Sequence, residues 1–219
     1  MIDPPLIHGG LVVRSLALVV GLFLFALGIV MQLEAELGLS PWDVLNQGIS
    51  DRSTLSFGTA NIAVALVVLV AAWSLGARVG PGTIANAILI GLFVDALLRV
   101  DAITRLSGQP LGVDLALTIG GILVIGLGSG LYIGAGLGAG PRDSLMLVGA
   151  RRTGARIGAV RVALEVAVTV VGFVLGGMVG IGTLAFAFGI GPAVELGFGL
   201  LVLLGLARQS QPPVRSPAS

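Results

Sequence analysis

Leu39-Ser40-Pro41-Trp42-Asp43-Val44-Leu45 is written twice in this chain. One hundred positions on stands Ala139-Gly140-Pro141-Arg142-Asp143-Ser144-Leu145, with Pro141 under Pro41, Asp143 under Asp43 and Leu145 under Leu45. The register holds without a gap on both sides. Upstream, Leu27-Gly28 lies over Leu127-Gly128, and Leu37-Gly38 over Leu137-Gly138. Downstream, Gly58 lies over Gly158 and Leu75-Gly76 over Leu175-Gly176. Then Gly80-Pro81-Gly82-Thr83 matches Gly180-Ile181-Gly182-Thr183, Ile90-Gly91 matches Ile190-Gly191, and Asp95 stands over Glu195. Nearly a third of the positions in 21–100 recur in 121–200. A chain rich in Gly, Val and Leu gives some matches by composition, but not an ungapped alignment of a Pro, two acids and a Gly-x-Gly-Thr. The register marks an internal structural repeat.

Composition sets the solvent. Hydrophobic residues make up 56% of the 219 positions and charged ones 11%, with a mean hydropathy of +1.07. Soluble domains carry roughly 25% charged residues, so these charges are too few to cover a water-facing surface. The expected class is an all-α polytopic membrane protein whose first partner is the lipid bilayer. A net charge of +1 gives no field for nucleic acid. There is no Cys, and the single His is His8 in the N-terminal tail, which excludes thiolate and His metal clusters, Cys nucleophiles and Ser-His-Asp chemistry. We therefore expect no cofactor, no metal site and no enzymatic activity. The first apolar run, Leu11 to Met31, is long enough to span and is followed by Gln-Leu-Glu-Ala-Glu rather than a small-x-small cleavage site, so it reads as a retained helix.

In chain order, a polar tail (1–10) precedes the first repeat (11–100). A connector (101–113) leads into the second repeat (114–207), and a Pro-rich tail (208–219) is expected to be disordered. Spans are expected at about 11–33, 58–75 and 83–98, then at 115–133, 160–179 and 183–207. Each half carries one further short helix. Ser40 suits the N-cap, Pro41 the first helical position and Asp43 the position three after the cap, so a helix opens at Pro41 and its copy at Pro141. Both are too short to cross a bilayer, and sequence leaves open whether they re-enter the membrane or lie at its interface with Trp42 as an aromatic anchor.

Arginine placement gives the orientation. Arg14, Arg78, Arg142, Arg151, Arg152, Arg156, Arg161, Arg208 and Arg215 share one side in a six-span topology, which gathers nine of the twelve basic residues. The positive-inside rule makes that side cytoplasmic, with both termini there, in the inner membrane of a bacterial cell. Three spans per repeat is an odd number, so the second copy enters from the opposite face. The expectation is a 3+3 inverted repeat.

Two groups of residues could carry chemistry. Ala87, Gly91 and Asp95 recur as Ala187, Gly191 and Glu195, four apart on one helix face, and we expect the two helices to cross near Gly91 and Gly191. An acid inside a span costs at least ~2.5 kcal/mol, which points to an ion, proton or substrate site. For Asp95, near a span end, snorkelling or pairing with Arg99 is the competing reading. Glu195 has no basic neighbour in sequence. Glu165 follows Arg161 by four and is expected to pair with it. Asn86 and Asn61 are polar within apolar spans, and interhelical hydrogen bonding explains them as well as a solute does. The second group is the paired helix starts with Asp43, Arg142 and Asp143, whose free N–H groups and positive dipole ends suit a substrate oxygen. The candidate substrate- or ion-binding set is thus Asp95, Glu195, Asn86, Asp43, Asp143 and Arg142.

Gly-Leu-Ser-Pro-Trp-Asp-Val-Leu (38–45 with its leading glycine), followed by Gly-Pro-Gly-Thr-Ile-Ala-Asn (80–86), Ile-Gly-Leu-Phe-Val-Asp (90–95) and Gly-Pro-Arg-Asp-Ser-Leu (140–145), resembles the YczE-like group within the YczE/YyaS/YitT bacterial membrane proteins. The resemblance covers nearly the whole chain. It implies an integral membrane protein, sometimes guessed to be a transporter, and brings no substrate or catalytic residue. The arginine-rich loop at 151–156 is this chain's own feature beside those motifs. Two function classes follow. One is a small secondary transporter or channel-like protein moving a solute or ion between the repeats, and homo-oligomers are compatible with it. The other is a non-transporting scaffold that docks a protein partner through the 151–156 loop.

Overall fold

The computed structural model describes residues 4–104 and 106–208. The expected disorder of the C-terminal tail beyond 208, and the first three residues, lie outside them. Helices α1 (Leu11–Ala35), α2 (Pro41–Arg52), α3 (Phe57–Ser74) and α4 (Pro81–Leu97) form the first half. A single turn, α5 (Asp101–Thr104), sits in the connector, and α6 (Leu111–Gly134), α7 (Pro141–Thr153), α8 (Ile157–Val174) and α9 (Ile181–Leu203) form the second half. Every helix start of the first half recurs one hundred positions later. Strands β1 (Leu6–Ile7) and β2 (Ala207–Arg208) pair antiparallel and bring the two ends of the described chain together. Among the described residues, α1, α3, α6, α8 and α9 are long and apolar enough to cross a membrane. The fourth helix is apolar but has 17 residues. The sixth helix begins at Leu111, a turn ahead of the expected span start at about 115.

The helix starts follow the side chains available to them. Ser40 caps α2 by accepting from the Asp43 amide at 3.4 Å, with Pro41 at the first position, as the sequence predicts. Ser56 caps α3 through the Thr59 amide at 3.2 Å. In α4 and α9 the Thr83 and Thr183 hydroxyls each accept from the N-cap amides, Gly80 and Gly180, at 3.2 Å.

The core is the antiparallel crossing of α1 and α6. It is close because glycines meet backbone: a Cβ on Gly21 would lie 2.7 Å from the Gly128 carbonyl oxygen, and one on Gly28 would lie 2.6 Å from that of Gly121. Around it α4 packs on α1 and α9 on α6, burying Leu22, Ala26, Ile29, Ile90, Ile122 and Ile125.

Contacts between the halves come in exchanged pairs. Gly21 meets Gly128 while Gly121 meets Gly28. The Gly182 amide donates to the Leu37 carbonyl at 2.8 Å, and the Gly82 amide donates to Leu137 at 2.9 Å. Arg52 Nε donates to the Leu175 carbonyl at 3.1 Å, and Arg152 Nε to that of Leu75 at 3.1 Å. When residue i meets the copy of j, and j meets the copy of i, the two units face each other as a two-fold pair does.

One expected packing is absent. Gly91 and Gly191 do not bring α4 and α9 across one another. A Cβ on Gly91 would run into Gly58 of α3, and Gly191 has no neighbour within 4 Å of such an atom. The small-residue face of α4 is taken by the adjacent α3, which reaches it through a shorter loop than α9 could.

Candidate functional site

The two short helices build the centre of the site. The C-terminal end of α2 adjoins the start of α3, and the C-terminal end of α7 reaches Leu75 just past the last residue of α3, about 27 Å away by helix rise. From these opposite ends the two helices point their N-termini at each other. Arg142, the second residue of α7, places its guanidinium 5.1 Å from the centre of the Trp42 ring and 3.9 Å from an Asp43 carboxylate oxygen. Trp42 is only 5% exposed, so it is a buried wall of the site and not an interfacial anchor.

The buried Asp43 carboxylate has its other partners on its own helix. The Ser40 hydroxyl donates to it at 2.5 Å and Asn46 Nδ2 at 3.2 Å. Asp143 accepts from the Tyr132 hydroxyl at 3.2 Å. A charge withdrawn from water needs such compensation, and here neutral hydroxyls and amides supply most of it.

A cavity of about 450 Å³ lies beside these helix starts, and every helix except α5 contributes to its lining. Its polar side holds Trp42, Asn61, Asn86, Tyr132, Arg142 and Asp143, and its apolar side Phe25, Ile90, Ile125, Phe186, Ile190 and Val194. Arg161, Glu165 and Glu195 line it where α8 and α9 diverge, and Arg161 and Glu195 are exposed there. Arg161 Nε donates to Glu165 at 2.9 Å, as its spacing predicts. On the lining of this cavity two buried donors have no partner among the described residues, Nε1 of Trp42 and Nδ2 of Asn61; Gln32, whose side-chain amide is also unpartnered, lies off the lining.

Four candidates from the sequence, Asn86, Arg142, Asp143 and Glu195, therefore share one cavity. Asp43 stands behind Arg142 without lining it. Asp95 is elsewhere. One of its oxygens accepts from the Ser56 hydroxyl at 2.5 Å and the other from the Gly58 amide at 2.8 Å, so it closes α4 on the start of α3. Its partner is not Arg99. Sequence reading passed over Arg52 and Arg152, although their identity at the repeat spacing was a usable signal. Trp42, expected as an interfacial anchor, and Asn61, for which a solute and interhelical hydrogen bonding are equal readings, both line the cavity.

A family model described as a family of unknown function, DUF6198, matches residues 12–197, from the first turns of α1 to near the end of α9. The chain belongs to the DUF6198 family. Within reach of that match, an uncharacterised protein of Haemophilus influenzae is 35% identical over 190 residues, covering 84% of this chain and 85% of the relative. The uncharacterised membrane protein YczE of Bacillus subtilis is 34% identical over 181 residues, covering 81% of each chain. The uncharacterised protein YyaS of the same organism is 29% identical over 132 residues, covering 59% of this chain and 64% of the relative. No solved structure matches. With its apolar helices and its YczE-like relatives, this DUF6198 member is an integral membrane protein of the YczE-like kind.

Proposed function

We propose that this protein is a small secondary transporter. It is built as two inverted three-span repeats, and its solute site is the cavity between them. The six crossings are α1, α3, α4, α6, α8 and α9. At 17 residues α4 is at the short end of what spans a bilayer core of about 30 Å. The exchanged contacts support the inversion, because α1 and α6 are antiparallel and a two-fold relating them runs perpendicular to both. Arg14 supports the sidedness: it donates to the carbonyls of Ala135 and Gly136 at the end of α6, so the start of α1 and the end of α6 share a face. By the arginine rule that face, with both termini, is cytoplasmic, in the inner membrane.

The observation that carries transport is one place where the exchange fails. In the first half α3 packs along α4, with Gly58 against Gly91 and Asp95 closed on Ser56 and Gly58. In the second half α8 and α9 stand apart, Gly158 and Gly191 have no close neighbours, and Glu195 has no hydrogen-bond partner among the described residues. Two repeats of like sequence held in unlike states are what alternating access requires, since exchanging the states carries the site from one face to the other. This conformation is closed on the outer side at α3–α4 and open on the inner side at α8–α9. In the opposite one, Glu195 closes on the start of α8 at Arg156 and Gly158, the counterparts of Ser56 and Gly58. Pro192 in α9, where α4 has Leu92, removes one helical hydrogen bond beside Gly191 and gives that helix a place to bend.

The chain has no native cysteine, so a single Ser129→Cys in the cavity is a clean reporter. An impermeant maleimide is expected to label it in inside-out vesicles and hardly at all in right-side-out cells, with outside labelling rising when Asp95→Asn weakens the outer closure. Equal labelling from both sides, or none from either in both backgrounds, would reject alternating access. In the second case, co-purification of a protein partner would favour the scaffold.

A further inference from the structure

We infer that the cavity binds a small organic carboxylate, with its oxyanion on Arg142, Trp42 Nε1 and Asn61 Nδ2 and its apolar body on the wall around Phe25 and Phe186. For the solute's passage this rests on the transport reading; for its binding it does not.

Among the buried atoms of the cavity lining, the unpartnered ones are both donors. Trp42 is 5% and Asn61 3% exposed, and each leaves a buried N–H donor unpartnered on the cavity lining. A buried donor without an acceptor costs free energy, and these two, unlike Gln32 in the α1–α6 packing, face a cavity with room for an acceptor. Arg142 makes no hydrogen bond among the described residues. Its contacts are the face of Trp42 and an Asp43 oxygen at 3.9 Å, beyond hydrogen-bond length. Its five N–H groups are thus unspent, on a cation held in place by stacking and by a carboxylate behind it. Apart from Glu195, the acids are in the reverse condition. Asp43 is served by Ser40 and Asn46, Asp143 by Tyr132 and Glu165 by Arg161. At the meeting point of α2 and α7 one unpartnered acceptor, Asn46 Oδ1, lies off the lining, whereas the buried unpartnered atoms on the lining are donors, and the missing acceptor there is one that a planar guanidinium and two neutral N–H groups recognise together. A carboxylate meets that description, because a guanidinium fork takes its two oxygens in parallel.

The rest of the cavity describes the body. Phe25, Ile90, Ile125, Phe186, Ile190 and Val194 face it with no hydrogen-bonding capacity, and about 450 Å³ admits a body of one aromatic ring or a short aliphatic chain. Glu195 is exposed on the lining and has no hydrogen-bond partner among the described residues.

The test uses purified full-length protein in lipid nanodiscs and two matched probe sets: phenylacetate, phenylacetamide and phenethylamine, then hexanoate, hexanamide and hexylamine. Thermal unfolding and calorimetric titration are read at equal millimolar concentrations. A carboxylate of at least one set is expected to raise Tm and to bind, with its amide and amine doing neither. Trp42→Phe keeps the ring and removes the N–H, and is expected to weaken that binding by roughly tenfold, the size of one well-made hydrogen bond. Arg142→Gln is expected to abolish it. Should that variant not fold, Arg142→Lys keeps the charge without the fork and is expected to bind at least roughly tenfold more weakly. Equal stabilisation by an amide or amine, undiminished binding in the Arg142 variants, or no response to either carboxylate overturns the inference. Uptake into proteoliposomes separates the two readings. Carboxylate binding without uptake in any gradient rejects transport and leaves the site standing, whereas amine-selective uptake keeps transport and rejects the site.

Discussion

The pair α3–α4 and the pair α8–α9 are copies by sequence and opposites by packing. In the first, glycines let two backbones touch, and a carboxylate closes the seam by taking a hydroxyl and an amide from the next helix. In the second, the corresponding glycines face open space and the corresponding carboxylate lines a cavity. Only Gly172 of α8 is buried, whereas seven residues of α3 are. The difference lies where the copies part: Ser56, which caps α3 and donates to Asp95, has Arg156 as its counterpart, which makes no such cap. It also separates the two acids: Asp95 holds structure, and Glu195 is free to act.

The comparison breaks first at the glycines. In Gly58→Ala the new Cβ meets the Gly91 carbonyl and the Asp95 carboxylate, so a loss of about 3 kcal/mol is expected by denaturant titration in detergent. Gly158→Ala meets nothing and gains helix propensity, so a rise of about 0.5–1 kcal/mol is expected. Similar losses at both positions would show that the second seam is also packed. The acids come next. Asp95→Asn gives up a charged acceptor to two donors and should cost about 2 kcal/mol. Glu195→Gln should leave unfolding within about 0.5 kcal/mol while abolishing pH- or cation-dependent flux. Flux that survives Glu195→Gln unchanged would remove that residue from the site. The smallest effect belongs to the half-exposed pair Arg161–Glu165, where Arg161→Ala should cost about 0.5 kcal/mol or less in the same titration.

Much of this was legible in the sequence, and the limits have physical causes. The repeat register placed every major helix, and Ser40-Pro41 and Pro141 marked the starts of α2 and α7, because caps and prolines act within one turn. Arg161 and Glu165 pair for the same reason. The motifs that repeat most closely, Leu37-Gly38, Leu75-Gly76 and Gly80-x-Gly82-Thr83 with their copies, proved to be the ones that touch across the halves. A contact used twice constrains both copies. What failed was partner choice. Four-residue spacing says which face of α4 carries Gly91 but not which helix will occupy it, so the expected crossing with α9 was misplaced. Trp42 could not be told from an interfacial anchor, because its burial depends on Arg142, a hundred residues away. The unlike states of the two halves show in sequence at Pro192 and at Arg156, which replaces the Ser56 hydroxyl that Asp95 takes.

The central claim is that the two seams exchange states, and spin-label distances test it most directly. One double-cysteine protein carries labels at Ala63 and Ala96 on α3 and α4, and a second carries them at the counterparts, Ala163 and Leu196 on α8 and α9. All four positions are exposed. In lipid nanodiscs the account predicts a short outer distance and a long inner one. In the Asp95→Asn background a second population should grow in which the outer distance lengthens and the inner one shortens. An inner distance that stays fixed while the outer seam opens, or two distances that lengthen together, would contradict it.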